Sequence, residues 1–268
     1  MENQSSVTTE VIDKHLPYIK DVVKCIPYAG FHIQGAEPGS LDRETLLYFL
    51  RKLNKEVLLS TNGLFFEKGY HTDPEIKEFL RMIYWHICET PGDFRMEKEY
   101  HHHDGEVPII GGIVHHSIDD MVAFAKRNAH IDIGFIEYAC DITKERTLSR
   151  SAYKQLYEAI KDIPNITDRS RERIELRINE AENLRYMCQN YHSPVSINLV
   201  RETICLCQRS MDTNIELTRE NLIKRIQNFP KDVFQGGQSG CDSCVRLYFD
   251  KMDGTSVANT LRARKIKF

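Results

Sequence analysis

Histidine and aspartate offer the most open chemistry in this chain. Five of its eleven histidines, His101, His102, His103, His115 and His116, fall in the stretch YHHHDGEVPIIGGIVHH from Tyr100 to His116. Asp104 lies inside it, and Asp119 and Asp120 lie just beyond. Such residues, gathered from several helices, hold divalent metals and turn bound water into hydroxide, so one reading is a metal-dependent phosphohydrolase. That site also needs a histidine from an earlier helix and an aspartate from a later one. His71 or His86 and Asp132 or Asp141 are available, and no spacing selects among them. Neighbouring residues on a helix point about 100° apart, so a run of three histidines sends at most two rings toward one ion. The other reading is a joint whose charge follows pH, because imidazole titrates near about 6.5.

A second group is Cys241-Asp242-Ser243-Cys244, a C-x-x-C knuckle after the glycine-rich stretch Gln235 to Gly240. Structural zinc needs a second ligand pair; Cys205 with Cys207, or Cys188 with His192, is on offer at spacings that match no strong template. The ordinary expectation is therefore reduced thiols and no cofactor, with zinc at Cys241 and Cys244 as the alternative. The sequence has no G-x-S-x-G elbow, no phosphate loop of the form G-x-x-x-x-G-K-[ST] and no G-x-G-x-x-G. The balance points to a protein that works by surfaces and is not an enzyme.

Charge narrows those surfaces. Lysine and arginine total 36 against 39 acidic residues, a formal charge of −3, so no global basic field draws the chain to nucleic acid or lipid. This argues against a nucleocapsid-like RNA binder, and any such contact must be local. The candidate basic patches for membrane or RNA are Arg51, Lys52 and Lys55; Lys144, Arg146 and Arg150; and the C-terminal Arg262, Arg264, Lys265 and Lys267. No apolar run approaches bilayer length and no signal peptide opens the chain, so a cytosolic location is expected.

These residues must be positioned by elements that read as helices almost throughout. Val11, Ile12, Leu16, Ile19, Val22 and Val23 recur at helical spacing, with Pro17 as a candidate bend, and stop at the Pro27 to Gly30 turn. Leu46, Leu47, Leu50 and Leu53 mark a second helix behind a Ser40 cap. Val57 to Phe66 is a helix-length apolar block broken at Asn62-Gly63, and Asp73-Pro74 opens a helix through Ile76, Leu80, Ile83 and Ile87. Ser117 caps the next, Ile131 to Ile142 is a further apolar segment, and Tyr153 to Ile160 is helical. A charge-laced helix is expected over Asp168 to Asn190, another after Pro194 through Ile197, Val200 and Ile204, and a last one over Leu217 to Phe229. No internal repeat is visible. The expected fold is all-α: residues 1–163 as an N-terminal body, residues 164–268 as a C-terminal helical domain with a flexible break near 235–240 and a short irregular or hairpin tail.

The N-terminal half resembles the matrix proteins of the orthomyxoviruses, the thogotovirus branch more than influenza. The resemblance runs through Thr9-Glu10-Val11, the helix ending at Pro27-Tyr28-Ala29-Gly30, the helix from Leu41 to Leu53, the block Leu58 to Phe66, and the turn Pro91-Gly92-Asp93. It implies a body of two packed helical bundles. In function it implies a viral coat protein that assembles with itself beneath the envelope and touches the anionic inner leaflet, the ribonucleoprotein and envelope glycoprotein tails. The implied places are the virion, the host cytoplasm, the inner face of the plasma membrane and the nucleus. Where influenza matrix has a basic helix, this chain has its histidines, so His101, His102, His103, His115 and His116 are candidate pH sensors that loosen the layer on acidification.

Overall fold

The computed structural model describes residues 7–25, 30–33, 37–88, 107–115, 117–138, 150–179, 187–188, 196–205, 215–234 and 247–248. In chain order the elements are α1 (Thr9–Lys24), β1 (Phe31–Ile33), α2 (Arg43–Leu53), β2 (Val57–Thr61), α3 (Leu64–Glu67), α4 (Pro74–Lys77), β3 (Leu80–Cys88), β4 (Ile109–His115), α5 (Ile118–Arg127), β5 (Asp132–Tyr138), α6 (Arg150–Ile160), α7 (Asp168–Asn179), β6 (Met187–Cys188), β7 (Ser196–Asn198), β8 (Thr203–Cys205), β9 (Ile215–Glu216), α8 (Arg219–Phe234) and β10 (Leu247–Tyr248). The fold is therefore α/β, and the all-α expectation is overturned. With it goes the body of two helical bundles that the resemblance implied.

Two compact units share the chain. The first takes residues 1–30, 41–55 and 185–268; the second takes 31–40 and 56–184. The expected boundary at Ile163-Pro164-Asn165 lies inside the second unit, where α6 and α7 pack on each other on either side of it.

The second unit is built on a sheet of β1 to β5, all parallel, in the order β1-β2-β3-β4-β5. The strands begin at residues 31, 57, 80, 109 and 132, so a strand-and-crossover unit recurs at roughly 25 residues. A parallel crossover that always steps in one direction with one hand keeps its connections on one side of the sheet. Side-chain contacts agree: Trp85 of β3, wholly buried, meets Phe66 of α3 at 5.8 Å and Phe124 of α5 at 5.1 Å between ring centroids. Val57, Leu59, Ile83, Ile113, Ile133 and Ile136 line the same buried face.

Glycine sets the distance between two of these strands. A Cβ on Gly111 would lie 2.6 Å from Cδ1 of Ile133, and one on Gly134 would lie 2.6 Å from Cγ2 of Ile110. The glycine-rich centre read as a joint is thus a strand whose missing side chains make room for the isoleucines of its neighbour. The ladder ends at a single parallel bridge, Ile133 to Ile166, after which α7 begins. Asn165, buried beside that bridge, aims its Nδ2 at the carbonyls of Ala125, Asn128 and Ile131, each at 3.0 Å.

The first unit contains α1, α2 and α8, a β7-β8-β9 antiparallel sheet, and a β6-β10 pair. The helix expected after Pro194 is the hairpin β7–β8; the charge-laced helix is present over Asp168–Asn179, residues 180–186 lie outside the described residues, and Met187–Cys188 within its expected span form β6. α1 packs on both α2 and α8.

Replacing Asn165 with alanine removes the donors of three buried carbonyls. Leaving such acceptors unmet costs about 1–3 kcal/mol per group, so chemical denaturation of the variant should show a loss of about 2–4 kcal/mol.

Candidate functional site

The two faces of the parallel sheet differ: among the described residues, α3 and α5 cover the one that carries Trp85. Along β2, Val57, Leu59 and Thr61 are buried, while Leu58 and Ser60 are half-buried. The register carries that alternation sideways: His32 pairs with Leu58, Ser60 with Tyr84, and Tyr84 with Ile110. His32 is exposed, and Met82, Tyr84, Ile110 and Phe135 are half-buried. A row of polarisable and aromatic side chains therefore runs across the less covered face.

Three strands meet in that row. His32 Nε2 lies 2.7 Å from Ser60 Oγ, and its ring sits 5.6 Å from the Tyr84 ring, tilted by 41°. Crowding by these neighbours removes water from the imidazole and pushes its pKa down, although part of the ring still reaches solvent. A neutral ring accepts the Ser60 hydroxyl proton. At the far edge, the guanidinium of Arg173 on α7 stands 5.8 Å from the centre of the Phe135 ring, a cation–π contact that closes the row.

Among the described residues, the carboxyl ends of β2 and β4 are occupied by structural bonds. Glu37 Oε1 accepts from the Gly39 N–H at 2.8 Å and the Thr61 hydroxyl at 2.7 Å, and Oε2 accepts from the Asn62 N–H at 2.6 Å. His115, at the end of β4, accepts the Ser117 N–H at Nδ1 (3.1 Å), with Asp120 3.8 Å away. Open α/β sheets bind ligands where strand order reverses, and this order does not reverse.

The residues singled out from sequence are mostly not gathered here. His101, His102, His103, His116, Lys144, Arg146, Arg262, Arg264, Lys265, Lys267, Cys241 and Cys244 lie outside the described residues, and Arg150 is described only as the first residue of α6. Arg51 and Lys52 close α2 and Lys55 follows it. Within that patch Lys52 is drawn inward: it pairs with Asp13 at 2.9 Å, and the Tyr48 hydroxyl donates to the same carboxylate at 2.7 Å. These bonds hold the Asp13 carboxyl below the usual range. Among the described residues no group of three or more His, Cys, Asp or Glu is placed to hold a metal ion, and no helix is long and apolar enough to cross a membrane.

Sequence reading missed His32, Ser60 and Tyr84. The sequence carried little signal for them: Val57-Leu58-Leu59-Ser60-Thr61 alternates in burial but not in residue type, and the apolar block suits a helix equally well. No family model, characterised protein or solved structure matches the chain.

The His32 environment has a measurable consequence. A histidine whose pKa is lowered by folding contributes stability above its unfolded value and loses it as pH falls through the folded value. In NMR titrations of the intact chain, the His32 ring should titrate below 6.5. In Tyr84→Ala, which returns water to the ring, the midpoint should move back up toward 6.5.

Proposed function

We propose that the sheet-bearing unit is a non-catalytic binding module that presents the less covered face of its parallel sheet to a protein partner. The observation that carries this reading is the strand order. Five parallel strands in sequence order, starting at intervals of roughly 25 residues, share the strand ladder of solenoid proteins, which bind partners on extended faces. Tyr and Met are enriched at protein interfaces, and Tyr84 and Met82 lie at the middle of the row. The absence of a reversal in strand order leaves the usual α/β ligand crevice without a place, which supports binding over catalysis.

The wider role of a coat layer beneath a viral envelope draws its support from the N-terminal resemblance, and the helical body through which that role was inferred is replaced by this sheet. A surface-binding unit serves such a layer or another assembly equally, so the partner decides.

The test is site-specific photocrosslinking in cells. A benzophenone side chain at position 84 should capture one partner, or a second copy of the chain, that the same group at Glu158 on exposed α6 does not. With that partner purified, Tyr84→Ala or Met82→Glu should weaken binding about tenfold or more, the cost of a central contact residue. Lys161→Gln, on the helix side, should leave it unchanged. Equal capture from both positions, or undiminished binding by both face variants, would remove the reading.

A further inference from the structure

The bonds at the carboxyl end of β2 converge on one peptide unit, the link between Asn62 and Gly63. Gly63 donates its N–H to Thr61 Oγ1 at 3.0 Å, and Phe65 donates to the same oxygen at 3.4 Å. A threonine hydroxyl has two lone pairs and one hydrogen. These N–H groups take both lone pairs, so the hydrogen points to Glu37 Oε1, 2.7 Å away. Thr61 is only 2% exposed, which leaves water little access to this path. A proton leaving Gly63 N therefore passes to Thr61, and Thr61 passes its own to the Glu37 carboxylate. Glu37 comes from 24 positions earlier in the chain, so the relay exists only in the folded state.

The side chain next to that nitrogen is an electrophile. Asn62 carries an amide carbon one ring closure away from Gly63 N, and its Oδ1 accepts the Leu64 N–H at 3.2 Å. That donor lies where negative charge gathers when the carbon becomes tetrahedral. The Asn62 N–H is held on Glu37 Oε2 at 2.6 Å, so one carboxylate grips the residue that carries the electrophile and drains the nitrogen that attacks it. Gly63 has φ of 119°, a left-handed conformation that favours glycine, and no Cβ crowds its nitrogen. We propose that Asn62-Gly63 is a self-modification site, at which Gly63 N closes on Asn62 Cγ to form a succinimide while Thr61 takes the proton. Thr61 touches the reacting nitrogen, and Glu37 is a positioning residue that acts through it.

The step balances without an oxidant, reductant or cofactor. The bond from Gly63 N to Asn62 Cγ forms, the bond from Cγ to Nδ2 breaks, and Nδ2 leaves as ammonia with a proton equivalent to the one taken from Gly63. Water then opens the succinimide at either carbonyl, giving aspartate or an isoaspartyl link at position 62. Asn62 is exposed, so water reaches the ring.

Either product changes what Glu37 holds. A carboxylate at position 62 sets a second negative charge beside Glu37, and an isoaspartyl link adds a carbon to the backbone between the Asn62 and Gly63 N–H groups that the cluster fixes. The segment leading from Glu37 has no slack to absorb this. Pro38 and Gly39 are buried, and a Cβ on Gly39 would lie 2.4 Å from the backbone nitrogen of Phe65. Conversion at position 62 is thus a one-way change that loosens Glu37 to Ser40 from the turn after β2.

The test follows the intact chain at neutral pH by peptide mapping, scoring the amide-to-acid mass change and the isoaspartyl product at position 62. The same chain held unfolded in guanidinium gives the rate of the sequence alone. The folded chain should convert at least about tenfold faster, the lower range of general acid–base assistance; a folded rate equal to or below the unfolded one would overturn the proposal. Thr61→Val should slow conversion to the unfolded rate, and Thr61→Ser, which keeps the hydroxyl, should retain it. Faster conversion in both Thr61→Val and Glu37→Gln would mean that these bonds only protect the turn, and would overturn the relay. The pH profile separates a relay from mere rigidity: conversion of the unfolded chain and of Glu37→Gln should rise in proportion to hydroxide, and that of the parent should rise less steeply. Equal slopes in parent and Glu37→Gln would also overturn it.

Discussion

A parallel ladder that keeps sequence order has no choice about where its connections go. Each step from β1 to β5 runs in the same direction, and the described crossover helices that meet Trp85, α3 and α5, share one side as a single hand requires. That constraint produces the two unlike faces. On the covered side a large side chain is needed to span from strand to helix, and Trp85 does this, wedged edge-on between Phe66 and Phe124. On the other side the described residues bring α7 only to the last strand, where Arg173 meets Phe135, and His32, Ser60 and Tyr84 are tolerated on the earlier strands.

The same constraint makes the ends of the ladder a problem, since every open sheet exposes unpaired backbone groups at its edges. At one end β1 is three residues long, which limits what can pair with it. At the other, the next strand position is reduced to the Ile133–Ile166 bridge, and the chain turns at once into α7, whose Ser170 hydroxyl donates to the Ile133 carbonyl at 3.0 Å. Asn165 gathers three loop carbonyls with one amide nitrogen. One short polar side chain thus ties the last crossover to the bridge, in a place where an apolar residue would leave those acceptors dry.

Elements with strong punctuation were legible in the sequence. Asp73-Pro74 starts a helix, Ser117 caps α5 by accepting the Asp120 N–H, and α1, α2, α6 and α8 fall where apolar spacing put them. Ser40 was a near miss, because Asp42 is the residue that caps α2. The strands were not legible, for a physical reason. Buried strands of a parallel sheet read as continuous apolar runs, and a run such as Leu80 to Cys88 offers both a 3–4 spacing and a β-rich composition. The helix opened by Pro74 lasts one turn, and the isoleucines beyond it belong to β3. The face row was invisible for a related reason, since it exists only once register places His32, Ser60 and Tyr84 on three adjacent strands.

The leverage of a histidine depends on what its contacts connect. A ring proton moves structure only if two conformations hold it differently, and by an amount set by what the bonds connect. His115 bonds the start of the helix that follows its own strand, so its contacts are local. His32 reaches Ser60 on a neighbouring strand, but backbone ladder bonds already fix those strands together. His15 differs from both: its bond to Glu202 spans 187 positions of sequence and joins a helix to a hairpin with no backbone ladder between them. That contact joins elements whose association depends on side chains.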